Sequence, residues 1–219
     1  MTEESDNHPL NESYLRAKEV LRRADASVAP ASGDGRIPPG QRPVEWMVAM
    51  PPIIADYPHV PKSEWKLRVF GEVAHEREYD WNGIRKFPVV EYEIDFHCVT
   101  HWSKLGQKFS GVPFRSIAEA AGPLDTVKHV IFECADGYTT NVPYGELVEH
   151  EAFLALRMDG QDIEDRYGGP ARMVIPHLYG WKSAKHVIGI RFQSQDEPGF
   201  WETRGYHNHG DAFREERYS

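Results

Sequence analysis

The sequence predicts a single, mainly β, α+β domain. Three observations carry that expectation. Several short segments alternate apolar and polar residues with the period of a strand, only two short helix-start signals fall between them, and strands and helices do not alternate strictly. A doubly wound parallel sheet requires strict alternation and is disfavoured. The 219 residues, 40% of them hydrophobic, suffice for one sizeable core, and no internal repeat divides them.

In chain order, Ser13 to Ala24 combines good helix formers with mixed charge and a weak apolar face, and Asp25 to Pro43 is rich in Pro, Gly, Ala and Ser. These read as a short helix and a linker or arm. Glu64 to Val73 alternates as a strand. The run from Val89 to Phe96 alternates from Val90 onward, placing Val90, Tyr92, Ile94 and Phe96 on one face, and Cys98 continues that inward face. Val127 to Cys134 and Ala152 to Met158 repeat the strand signal. Helices fit Pro113 to Ala121 and Pro143 to Val148, each with proline at a permitted first-turn position. A Gly168-Gly169-Pro170 turn then feeds a short strand and a basic loop containing serine.

Charge and cysteine content exclude several functions. Lys and Arg number 25 against 34 Asp and Glu, a net charge of -9, which argues against nucleic acid and against a polybasic membrane patch. No run approaches the ~18 apolar residues of a membrane span, and the N-terminus has neither a basic nor an apolar leader region, so a cytoplasmic location is expected. Two cysteines, Cys98 and Cys134, are too few for a disulfide scaffold and fit thiols kept reduced.

The stretch from Asp95 to Ser103 concentrates chemistry. It delivers Cys98 at a strand end and follows it at once with polar and aromatic residues. A thiolate there can hold a soft metal centre, although a free cysteine is also commonly a small buried hydrophobe. His97 and His101 bracket it. A zinc site built from His97, Cys98 and His101 would need three convergent ligands within five residues at a strand end, with no fourth evident. A Cys-His hydrolase has its minimum pair here but no accompanying signature. His101, beyond the strand, is the candidate to carry a proton or orient a substrate oxygen. Cys134 reads as packed core. Arg172, Lys182 and Lys185 suit a phosphate, which favours a bidentate fork or an ammonium charge, yet isolated basic residues are usually solvated surface.

The segment from Asp95 to Ser103 and that from Tyr167 to Lys185, taken in this order, closely resemble the molybdopterin-binding domain of the sulfite oxidase family. The likeness runs from about Pro38 to about Trp201, leaving residues 1–37 as an N-terminal helix and arm and 202–219 as a C-terminal tail. It implies the mixed, mainly β sulfite oxidase-type fold and the cofactor Mo-molybdopterin. It also implies Cys98 as the thiolate ligand to molybdenum, and Arg172, Lys182, Ser183, Ala184 and Lys185 as the grip on the pterin phosphate, Ser183 adding a hydroxyl and the loop backbone its N–H groups. Tyr167 stands where some relatives have Asn or His facing the cofactor, and its role stays open.

The implied activity is two-electron oxygen-atom transfer on a small sulfur-containing or similar oxo substrate. Sulfite oxidases proper follow the ligand cysteine with arginines that hold the anion, whereas Val99-Thr100-His101-Trp102-Ser103 stands here. Without that cluster a small dianion is held weakly, and sulfoxide reduction becomes at least as plausible. The contrasting reading is a non-catalytic molybdopterin carrier. Exported members of the family carry twin-arginine signals, and other members carry a haem domain or an immunoglobulin-like dimerisation domain; none is evident here. A monomer served by a separate flavin, ferredoxin or haem-type electron-transfer protein is therefore expected. The tail, with His207 and His209 among its aromatics, is expected to dock on the surface, and a place at the active-site entrance is a further possibility.

Overall fold

The computed structural model describes residues 35–52 and 56–219, with Glu12, Arg16 and Val20. The expected helix over Ser13 to Ala24 and most of the linker after it lie outside the described residues, apart from Arg16 and Val20. The remaining elements are β1 (Arg42–Val44), β2 (Lys66–Gly71), β3 (Arg77–Asp80), α1 (Trp81–Ile84), β4 (Val90–Cys98), β5 (Trp102–Pro113) and α2 (Phe114–Ala121). After these come β6 (His129–Cys134), β7 (Thr139–Pro143), α3 (Tyr144–Glu149), β8 (Phe153–Met158), β9 (Gln161–Asp162), β10 (Arg172–Val174) and β11 (Val187–Gln193).

They form two sheets. One runs β1-β5-β8-β10, with β4 also paired to β5 and β9 to β8; the other runs β3-β2-β11-β6-β7. Parallel pairing occurs at β1 with β5 and at β11 with β2, while β11 runs antiparallel to β6. The expected mainly β fold, with a few short helices, is what forms.

Strands β2, β4, β6 and β8 match the alternating segments to within a few residues. Strands β5 and β11 follow no clear alternation. Both are flanked by strands on each side, and β5 buries residues on both faces, so the period-2 signal is lost. Gly111 shows how closely the backbones approach, because a Cβ there would run into the Leu154 carbonyl of β8.

The two expected helices, α2 and α3, each begin one residue later than their proline. Pro113 and Pro143 are N-caps, with extended ψ of 134° and no side-chain cap, so proline ends the preceding strand and sets the chain's entry into the turn. α2 buries Phe114, Ile117, Ala118 and Ala121 and stops at Gly122, whose φ of 65° suits a residue without a Cβ.

The larger core lies around the second sheet and α2, centred on Leu67, Phe114, Phe132, Ile190 and Phe192. A smaller one, with Ile94, Phe96, Trp102, Phe109, Phe153 and Val174, sits against the first sheet, where Tyr92 stacks on Phe153 at 3.8 Å. Burying side chains of this size favours folding by about 1.5–3 kcal/mol each. Cys98 touches both cores, which places it on the seam between them.

The residues set apart as a tail are built into the domain. Ala212 and Arg217 are buried, and Arg217 donates to the Val99 carbonyl at 2.9 Å and the Pro39 carbonyl at 3.3 Å. Tyr206 stacks on Trp201 at 4.7 Å. A docked surface segment would not supply this much of the interior.

Candidate functional site

Cys98 ends β4, pairs with Trp102 of β5, and leads into a three-residue hairpin turn, Val99-Thr100-His101. A type I turn closed by a left-handed residue fits such a loop, and His101 takes that position at φ 66°. Its N–H donates to the Cys98 carbonyl at 3.1 Å, and its Nδ1 lies 2.8 Å from the Gly40 carbonyl. His101 thus turns the hairpin, and it is not among the residues that line the cleft described next. His97, also outside it, is buried against Ser103, and burial pushes its pKa down to about 4.

Phe96, Cys98, Val99, Thr100 and Trp102 form one wall of an open cleft. The opposite side comes from β10 and the loop after it, through Arg172, Gly180, Trp181, Ser183, Ala184, Lys185 and His186. Asp136, Tyr138, Tyr167, Trp201 and Tyr206 complete the floor, and Met47 to Pro52 with Tyr57 and Pro58 the rim. Gly180 allows the walls to meet: its N–H donates to the His97 carbonyl at 2.7 Å, where a Cβ would strike the Phe96 ring.

The Cys98 Sγ lies 3.1 Å from Thr100 Oγ1. Burial raises its pKa, opposed by the Thr100 hydrogen bonds and by the charges of Lys185 and Arg217. Cys134 is buried outside the cleft and its pKa stands well above the ordinary value through burial, so the two thiols are separated by access.

Arg172 is buried, and three of its five donors are spent on the Met173, Tyr167 and Ser183 carbonyls at 3.4, 2.8 and 3.0 Å. Burial pushes its pKa down to about 10, so it remains charged. Lys185 reaches the Arg166 carbonyl at 2.9 Å, and burial with the Arg172 charge pushes its pKa down to about 7. Neither stands within ion-pairing distance of a carboxylate among the described residues. Two neighbouring, partly desolvated cations destabilise each other and are relieved by an anion.

Ser183 Oγ accepts the Ile175 N–H at 3.0 Å, and Ala184 accepts the Met173 N–H at 2.8 Å, so both hold the loop against β10 while bordering the cleft. Tyr167 borders it too, its hydroxyl 3.3 Å from the Met47 carbonyl. Trp102 presents a buried indole N–H with no acceptor among the described residues.

At Lys182 the expectation is corrected. It is fully buried away from the cleft, with Nζ at 2.8 and 3.1 Å from Asn141 oxygens, 2.6 Å from the Asn208 carbonyl and 2.6 Å from Glu202 Oε1. An ammonium with four acceptors has nothing left for a phosphate. Sequence reasoning also missed the rim residues Met47, Val48, Met50, Pro51, Pro52, Tyr57 and Pro58 and the aromatic floor. The rim's only sequence signal is an apolar run from Trp46 to Ala55, interrupted by Pro51-Pro52 and lacking any polar face.

Residues 54–201 match the profile of the oxidoreductase molybdopterin binding domain, about two thirds of the chain and all but one of the cleft positions beyond the rim's first strip. The chain belongs to this sulfite oxidase family. It is 37% identical over 188 residues, 84% of this chain and 93% of the relative, to the uncharacterized oxidoreductase YuiH of Bacillus subtilis. It is 31% identical over 147 residues to the putative protein-methionine-sulfoxide reductase subunit YedZ1 of Azospira oryzae, covering 67% of this chain and 56% of that one. The catalytic subunit MsrP of Burkholderia mallei, a protein-methionine-sulfoxide reductase, is 27% identical, and 49% of its length is covered. The chain thus spans about half of each of these two reductases. The crystal structure of the sulfane dehydrogenase SoxCD from Paracoccus pantotrophus superposes with a TM-score of 0.57 at 19% identity, covering 64% of this chain and 41% of that one, a likeness of fold.

As a family member the protein is a molybdopterin oxidoreductase, and Mo-molybdopterin is its cofactor. The cleft suits that group. It combines a soft thiol donor and a buried indole N–H without an acceptor on one wall with two cations on the other that form no ion pair among the described residues, although Asp136 also borders the cleft. No helix among the described residues is long and apolar enough to cross a membrane.

Proposed function

We propose that the protein removes an oxygen atom from a neutral sulfoxide-type substrate, with Cys98 as the protein's molybdenum ligand and Arg172 and Lys185 as the partners of the pterin phosphate. The carrying observation is the division of the cleft: its cations stand at the β10 side, while its rim is built from Met47, Val48, Met50, Pro51, Pro52, Tyr57 and Pro58. An apolar rim disfavours a small dianion such as sulfite and suits a neutral thioether or sulfoxide. The methionine-sulfoxide reductases among the relatives support the same direction.

The bound cofactor supplies two-electron redox chemistry and an exchangeable oxygen site. In the net reaction a sulfoxide, two protons and two electrons give a thioether and water. Cys98 provides a soft donor that stays bound throughout. Thr100 supports the thiolate through its hydroxyl, and Arg172 and Lys185 offer charge-assisted donors to phosphate oxygens. Trp102, Trp181, Trp201 and Tyr206 keep the cleft dry. The electrons come from a separate flavin, ferredoxin or haem-type protein. A reducing compartment, the cytoplasm, suits the two free thiols, and cell fractionation checks that location.

The test is molybdenum and pterin analysis of wild type and Cys98→Ser from a molybdopterin-competent host, with turnover on sulfoxides and sulfite under a reduced dye. About one molybdenum per chain, sulfoxide turnover above sulfite turnover, and loss of activity and charge-transfer absorption in Cys98→Ser are expected. Cofactor bound without turnover on either substrate would instead mark a carrier.

A further inference from the structure

A second cluster of ligating side chains lies away from the cleft. Glu146 sits in α3, His150 follows as its C-cap four residues on, and His177 enters from the loop after β10. One ligand atom from each lies within 4.8 Å of the other two. Glu146 Oε2 is 2.7 Å from His177 Nε2 and 3.6 Å from His150 Nε2, and the two imidazole rings stand 4.4 Å apart at 41°. None of the three borders the molybdopterin cleft.

We propose that Glu146, His150 and His177 bind one divalent transition metal of the zinc class, with a fourth position open to water. Two imidazole nitrogens aimed at one carboxylate oxygen compete as hydrogen-bond donors. As lone-pair donors to a single cation they cooperate. Ligands on a tetrahedral zinc ion at roughly 2.0–2.1 Å stand about 3.3 Å apart, a value that the two Glu146–His spacings of 2.7 and 3.6 Å bracket. Imidazole with carboxylate selects zinc and its neighbours over magnesium or calcium.

A second observation supports the assignment independently. His209 Nε2 lies 3.0 Å from the other oxygen of Glu146, and its Nδ1 lies 2.7 Å from Glu216 Oε2, which also accepts the Asp211 N–H at 2.9 Å. This carboxylate–imidazole–carboxylate chain fixes the Glu146 head group as outer partners orient metal ligands. His150 is the exposed member, its side chain 54% accessible against 23% and 24% for Glu146 and His177, which gives an ion an entry path. A bound ion would tie α3 and the loop after β10 to the C-terminal segment that carries Tyr206 into the cleft floor.

Calorimetric titration of chelator-treated holoprotein with Zn²⁺, and with Co²⁺ as the spectroscopic probe, tests the site, with molybdenum measured in the same samples. One equivalent of Zn²⁺, tetrahedral-type Co²⁺ bands displaced by Zn²⁺, a raised Tm and unchanged molybdenum content are expected. His150→Ala, which removes an exposed side chain, should keep the metal-free Tm and weaken zinc binding by roughly tenfold or more, and Glu216→Gln should weaken it roughly 10- to 100-fold. Cys98→Ser should bind zinc as wild type does. No saturable zinc binding in wild type, or wild-type affinity in His150→Ala, overturns the assignment without touching the molybdenum reading.

Discussion

Lys182 and Lys185 stand three residues apart in one loop and meet opposite environments. Lys182 turns inward, where burial pulls its pKa down and Glu202 pulls it back, and it ties the β7 residue Asn141 to the C-terminal residues Glu202 and Asn208. Lys185 borders the cleft, holds one backbone carbonyl and feels the Arg172 charge, with Asp136 near but not in an ion pair with it. The first is a structural cation with its anion built in. The second borders the cleft, and in the proposed function its anion arrives from outside. Both belong to the same basic motif, so the difference lies in what the remainder of the fold brings to each.

Substitutions at these two ends sharpen the contrast. The largest effect is expected at Lys182→Ala, which strands Glu202, itself 1% exposed, as an uncompensated buried charge. Urea denaturation should show a loss of about 3–5 kcal/mol, and Lys182→Met combined with Glu202→Gln should recover most of it. If Lys182→Ala lost cofactor while keeping stability, the contrast would collapse. At Lys185→Ala the order reverses: stability should stay within about 1 kcal/mol, while the loss of one charge-assisted contact, about 1.5–3 kcal/mol, should weaken retention of the pterin phosphate tenfold or more. Cofactor release on dilution measures it.

The smallest effect concerns acid. Burial would raise the Asp196 carboxyl, but hydrogen bonds from Asn208 and Asn141, with His129 nearby, hold it below the usual carboxylate range. A lowered folded pKa contributes stability above the unfolded value of about 3.9 that is lost as pH falls through the folded value. Wild type should therefore lose stability below about pH 4 more steeply than Asp196→Asn, and equal acid slopes would show that this outer support of Lys182 is immaterial.

Much of the site was legible in sequence because its signals are local. Cys98 at the end of an alternating strand and Arg172 after a Gly-Gly-Pro turn are set by a few neighbours each, and both line the cleft. What the sequence did not reveal at His101 is its part in the hairpin, where a three-residue loop takes a left-handed residue in that place. Strand β5 was illegible because burial on both faces erases its period.

By itself the sequence determined the mainly β class and the family, since alternation, turn chemistry and motif order are written in neighbouring residues. The tertiary structure decided which lysine faces the cleft, that the C-terminal segment is part of the interior, and that Glu146, His150 and His177 meet. Each of these depends on contacts between residues far apart in the chain, and burial, pairing and convergence are properties of such contacts rather than of any local pattern.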